Sequence, residues 1–114
     1  MTEKILVVDD EPLILSTVEK ALSKEGYNIV KARTMEEFVS ALGQSPFDLL
    51  ITDMYMDWNT AEKIIASVRE RSPRAGVLCM SGSVNKSQVY PFIEKPFKIS
   101  DLRKKVRDIL DEHH

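Results

Sequence analysis

The 114-residue sequence predicts an α/β fold, a mostly parallel sheet with helices on both faces. Three observations carry that expectation. Short apolar runs alternate along the chain with segments whose apolar residues recur at helical spacing, the pattern of successive strand–helix units. Most of the runs are continuously apolar rather than alternating, as strands buried on both faces are. The runs Lys4–Val8, Leu49–Thr52 and Val77–Met80 each lead directly into polar residues: Asp9-Asp10-Glu11, Asp53 and Ser81. In open α/β sheets that carboxyl edge is where ligands bind.

The length fits one domain, residues 1–112, with His113 and His114 set aside as a candidate tag remnant. Hydrophobic residues make up 43% and charged residues 30%, which is enough apolar content for a core in a globular chain. The formal net charge of -2 gives no reason to expect a nucleic-acid partner. No apolar run approaches the ~20 residues that span a bilayer. Met1-Thr2-Glu3-Lys4 lacks the layout of a signal peptide, so the expectation is a cytoplasmic protein with no membrane partner. The single Cys79 cannot form an internal disulfide and reads as a buried thiol in a reducing compartment.

Lys4-Ile5-Leu6-Val7-Val8 is rich in β-branched residues and reads as the first strand. Pro12 suits the first position of a helix, along which Ile14, Val18, Ala21 and Leu22 recur at helical spacing. Gly26 is the expected left-handed stop. Tyr27–Ala32 is a second strand, more polar and so nearer an edge. Thr34 followed by Glu37 is a capping-box pair, and the helix it opens should carry Phe38, Val39 and Leu42 inward and end at Gly43.

Leu49–Thr52 is the central strand, and Met54–Asn59 reads as a loop. Asn59, with Glu62 three residues on, should cap the next helix, whose Ala61, Ile64, Ile65 and Val68 share one face. Pro73 closes that helix. Val77–Met80 is the fourth strand and Tyr90–Ile93 the fifth; Ser100 should cap a last helix facing inward through Leu102, Val106, Ile109 and Leu110. Only Ser81–Val89 separates the last two strands, fewer than the dozen or so residues of an ordinary helical crossover. A parallel return remains within reach of an extended connection, so the helix there should be shortened or missing.

If the sheet is doubly wound, its strand ends bring Asp9, Asp10, Asp53, Ser81 and Lys95 to one edge. On its own, Asp53 reads equally well as a cap of the following turn. Three carboxylates in one place repel one another unless a cation joins them. Hard oxygen ligands that leave room for water and phosphate oxygens suit Mg2+. Lys95 adds a second positive charge and Ser81 a hydroxyl donor. The set fits phosphoryl transfer to a carboxylate nucleophile.

The ordered set Val7-Val8-Asp9-Asp10-Glu11, Asp48 through Met54, Ser81-Gly82, and Phe92-Ile93-Glu94-Lys95-Pro96-Phe97 resembles a receiver domain of the two-component response regulators, across essentially the whole chain. The resemblance implies a single flavodoxin-like (βα)5 three-layer sandwich with a five-stranded parallel sheet in the order 2-1-3-4-5. It implies a signalling domain, not an enzyme beyond its own phosphorylation and dephosphorylation. Asp53 would accept a phosphoryl group from a sensor histidine kinase or phosphotransfer protein. Mg2+, or Mn2+ in its place, would be held by Asp10, Asp53 and the backbone carbonyl of Tyr55, with Asp9 acting directly or through water. Ser81 would hydrogen-bond the phosphoryl group, Lys95 would pair with it, Phe92 would be the aromatic switch, and the Lys95–Pro96 bond would be cis.

The chain also departs from that family. Asp57 stands where a proline is usual and Ala61 where a glycine is usual, so the path after Asp53 should differ. Losing the helix before the fifth strand would uncover apolar surface, which often marks a partner site. The expectation is association through Val89, Tyr90, Pro91 and the last helix, most simply as a symmetric homodimer. One alternative is a degenerate receiver that works only as a binding module. A dehalogenase-type phosphatase would want Asp-x-Asp after the first strand, and a flavin carrier would want a phosphate loop there; Asp9-Asp10-Glu11 suits neither.

Overall fold

The structure, a computed structural model, describes residues 2–82 and 89–112. The elements run β1 (Lys4–Val8), α1 (Pro12–Ser23), β2 (Asn28–Ala32), α2 (Met35–Leu42), β3 (Leu49–Asp53), β4 (Tyr55–Met56), β5 (Asn59–Thr60), α3 (Ala61–Arg71), β6 (Gly76–Ser81), β7 (Phe92–Glu94) and α4 (Ile99–Glu112). Five strands form one sheet in the order β2-β1-β3-β6-β7, and every neighbouring pair in it is parallel. Counted along the sheet strands alone this is the order 2-1-3-4-5. The chain winds outward from β1 to β2, then returns past β1 to β3, so the winding direction reverses between β1 and β3 and opens a crevice at their carboxyl ends.

Alternation along the strands explains the layers. Ile5, Val7, Leu49, Ile51, Leu78 and Met80 point to one side, against Leu15, Val18 and Leu22 of α1 and Leu102, Val106, Ile109 and Leu110 of α4. Leu6, Val8, Leu50, Val77 and Cys79 point to the other, against Phe38 of α2 and Ile64, Ile65 and Val68 of α3. Successive residues of a strand face opposite sides, so a continuously apolar strand feeds two cores at once. Ile5 through Val8 and Leu49 through Ile51 are all fully buried.

Local chemistry sets the helix boundaries. Pro12 occupies the first turn of α1, and beyond its end Gly26 takes φ 91°, the left-handed conformation that only glycine adopts at little cost. At α2 the Thr34 hydroxyl accepts a hydrogen bond from the Glu37 amide at 3.1 Å. The Glu37 carboxylate in turn accepts one from the Arg33 amide at 2.8 Å, one residue earlier than a standard capping box would use.

Several expectations are corrected. Val39 is 58% exposed: it lies a full 100° step around the helix from buried Phe38, and Ala41 takes the inward place instead. Asn59 is not a helix cap. It belongs to β5, and Thr60 precedes α3; the segment expected as a loop is a small antiparallel hairpin pairing Tyr55 with Thr60 and Met56 with Asn59. Ser100 lies inside the first turn of α4, which begins at Ile99. The fifth sheet strand is Phe92–Glu94 rather than Tyr90–Ile93, ending one residue later, beside Lys95. The expected shortening of the helix before it falls largely on residues 83–88, outside the described residues; among the described residues there are four helices and none between β6 and β7. Among the described residues no helix is long and apolar enough to cross a membrane.

The Thr34 cap gives a direct test of the local reading. Thr34→Ala should destabilise the fold by about 1 kcal/mol, measured as a lowered urea midpoint with an unchanged m-value.

Candidate functional site

The carboxyl ends of β1, β3, β6 and β7 meet at the crevice. Asp9 follows β1 directly and is completely buried. Its backbone amide donates to the Ala32 carbonyl at 3.2 Å, which extends the β1–β2 pairing by one residue. One carboxylate oxygen accepts from the Glu11 amide at 2.9 Å, and the other accepts from Lys95 Nζ at 2.8 Å. Lys95 is held in turn by its own backbone, whose amide donates to the Ser81 carbonyl at 2.7 Å just past β7. Its ammonium lies 3.6 Å from Asp53 Oδ1 and 3.4 Å from Glu11 Oε1. Asp53 is the last residue of β3, and its Oδ1 also accepts from the Met54 amide at 3.0 Å.

Carboxylate oxygens from Asp9, Asp10, Glu11 and Asp53 all lie within 4.8 Å of one another. Lys95 pairs with three of these four acids, Asp9, Glu11 and Asp53. Burial is the main force on the Asp53 carboxyl and raises its pKa; the Lys95 charge works to lower it, and the Asp9 charge adds to the rise. Burial likewise raises the pKa of Asp9 against the opposing hydrogen bond from Lys95. Burial alone would lower the Lys95 pKa, but its hydrogen bond to Asp9 and the charges of Asp9, Asp53 and Glu11 outweigh that and raise it. The donor set is all oxygen and more negative than its single ammonium can neutralise. That is the chemistry of a site for a hard divalent cation such as Mg2+, and the residues present fit one.

The other expected residues fall around this centre. Ser81 closes β6 and is 8% exposed; Asp53 pairs in register with Met80, its neighbour in sequence. Phe92 pairs with Cys79, two residues before Ser81, and so shares the Ser81 face of the sheet; it packs against the α3-side core. The Lys95–Pro96 peptide is cis, as is Ser45–Pro46. Tyr55 follows the acids in β4, its side chain 71% exposed. Asp57 is exposed, and its backbone amide, 3.5 Å from Asp10 Oδ2, is its approach to the acids. Glu11 is the participant that sequence reasoning gave no role of its own: its carboxylate reaches Lys95, and the run Asp9-Asp10-Glu11 is the available signal.

The family model described as the response regulator receiver domain matches residues 5–107. Among curated relatives, the response regulator protein PilR of Pseudomonas aeruginosa is 29% identical over 95% of this chain and 26% of its own length. The transcriptional regulatory protein YvrH of Bacillus subtilis is 30% identical over 90% of this chain and 47% of its own. The chain therefore spans about a quarter to a half of these relatives. A CheY-like receiver domain protein from Methanospirillum hungatei has the same fold, with a TM-score of 0.86 at 23% identity over 99% of this chain and 97% of that one.

The raised carboxyl pKa values imply a pH dependence. The folded state holds these protons to a higher pH than the unfolded chain, so their favourable contribution is full below the ordinary value of 3.8 and is lost as pH rises through the folded values. Metal-free protein should lose stability on that account as pH rises from about 4 toward neutrality. Asp53→Asn should raise the metal-free melting midpoint at neutral pH and do little near the acid end; thermal melts of both proteins across pH check this.

Proposed function

We propose that this chain, which belongs to the response regulator receiver domain family, takes a phosphoryl group onto Asp53 and passes the resulting change to a protein partner. The observation that carries the reading is the position of Lys95, its ammonium 2.8 Å from buried Asp9 and 3.6 Å from Asp53 at the carboxyl edge of the sheet. A phosphorylated nitrogen of a histidine kinase or phosphotransfer protein is the expected donor. An Asp53 carboxylate oxygen attacks phosphorus, the P–N bond breaks with its electrons returning to the imidazole, and an acyl phosphate forms.

Asp10, Asp53 and the Tyr55 carbonyl would hold Mg2+ or Mn2+, with Asp9 acting directly or through water. Bound metal would neutralise charge shared by the carboxylates and the transferring phosphoryl oxygens. Lys95 pairs with the incoming phosphoryl group, already restrained by its ties to Ser81 and Asp9. The Ser81 hydroxyl donates to a phosphoryl oxygen, and Phe92, on the same face, responds as the switch. Reading the chain as a binding module without phosphotransfer gains no support from a site in which Asp9, Asp53 and Lys95 are juxtaposed in this way.

The output face in this reading is the open groove lined by Val89, Tyr90, Pro91, Phe97 and the Lys104–Lys105 side of α4. Val89 is 87% exposed there, the kind of apolar surface a second copy or an output protein would cover. If a second copy covers it, light scattering should show concentration-dependent dimers that Val89→Asp weakens.

Incubation with Mg2+ and acetyl phosphate should add one phosphoryl mass, reverse in alkali and quench or enhance the fluorescence of Trp58. Asp53→Asn or chelation should abolish the modification, and Lys95→Ala should slow it by about 100-fold. Labelling of Asp53→Asn at the parent rate would overturn the assignment.

A further inference from the structure

The hairpin that follows Asp53 is a poor candidate to hold itself together. Its arms are two residues each, joined by a turn at Asp57 and Trp58. Two-residue hairpin turns that match the twist of their strands need positive φ at one or both central residues. Among the described residues only Gly26 has positive φ, so this turn is of another kind. An isolated two-stranded hairpin is marginal in water even with a favourable turn.

Backbone hydrogen bonds secure its base, from the Met54 amide to the Met80 carbonyl at 3.0 Å and from the Ala61 amide to the Met54 carbonyl at 3.1 Å; Trp58 holds its turn. The indole N–H donates to the Arg33 carbonyl at 3.0 Å, the residue at the exit of β2. The indole ring lies 6.2 Å from Phe38 of α2, tilted by 40°, a favourable aromatic arrangement. Met54 and Met56 pack against the same core. On the far side of the turn the Asp57 amide approaches Asp10 Oδ2 at 3.5 Å. The turn is thus pinned through Trp58 to Arg33 and Phe38 and through Asp57 to the acid cluster.

We infer that Trp58 is a positioning residue of the metal site: by docking the Asp57–Trp58 turn onto Phe38 and the Arg33 carbonyl, it keeps the backbone of Tyr55 and Asp57 beside Asp10 and Asp53. This rests on the reading of the acid cluster as a divalent-cation site. With Trp58 in place the hairpin backbone is ordered before the ion arrives. Without it the ion must order the segment as it binds, and apparent affinity falls by the fraction of molecules that are competent.

The test uses Mn2+ as probe, followed by electron paramagnetic resonance, with amide hydrogen exchange on metal-free protein. Trp58→Phe keeps a ring against Phe38 and removes the donor to Arg33. It should weaken Mn2+ binding about threefold to tenfold, the scale of one lost hydrogen bond, and speed exchange at the Asp57 amide. Trp58→Ala should do more of both. Val18→Ala, in the core on the other side of the sheet, lowers stability without touching the hairpin and should leave both readouts near the parent values. Unchanged Mn2+ affinity and exchange in Trp58→Phe would overturn the tether, as would an equal effect from Val18→Ala. A parent protein that binds Mn2+ no better than Asp53→Asn would refute the cation site itself, and the tether with it.

Discussion

Asp9 is a carboxylate with no exposure to solvent, and the edge of the sheet is arranged around that fact. A buried charge is tolerated only when paired and hydrogen-bonded. Asp9 has both, from the Glu11 amide and from Lys95 Nζ. Lys95 can reach it because parallel registry brings the ends of β6 and β7 level with the end of β1, and the amide of Lys95 is locked to Ser81. The pair joins the two ends of the chain across 86 positions. Once Lys95 is fixed on Asp9 it also stands near Asp53, and that proximity, rather than any single motif, gives the crevice its chemistry.

The charges are deliberately out of balance. Four carboxylates cluster and three of them share one ammonium, and burial penalises the ionised forms of Asp9 and Asp53. Such an arrangement favours whatever brings positive charge, and in the proposed function it would then tolerate a phosphoryl group arriving with it. The same imbalance that weakens the metal-free fold makes the site fit for a cation. In this respect the site differs from a structural ion-pair network, in which charges would be matched.

Much of this was legible in the sequence, for identifiable reasons. Continuous apolar runs mark strands buried on both faces, so β1, β3 and β6 and the inward residues of α4 could be read directly. Polar residues at their ends placed Asp9, Asp10, Asp53 and Ser81 at one edge. What escaped depended on neighbours distant in sequence. Val39 is apolar like Phe38, and only the position of the helix on the sheet decides which of them is buried. Asn59 and Ser100 are good capping residue types sitting one or two positions from the actual helix starts, where tertiary pairing and packing set the boundary. The β4–β5 hairpin has no turn signal of its own, since it is stabilised from outside by Trp58 on Arg33 and Phe38. Glu11 reaches Lys95 only because of the fold.

The sheet that carries the site is shared property. Leu6 and Val8 belong to one core and Ile5 and Val7 to the other; Leu50 and Ile51 divide in the same way. Neither layer of helices can therefore dissolve while its opposite number stays intact, because each would strip apolar surface from strands that the other still needs. Melting of this molecule is all-or-none by construction, and a lesion in the floor of either layer lowers the stability of the whole domain.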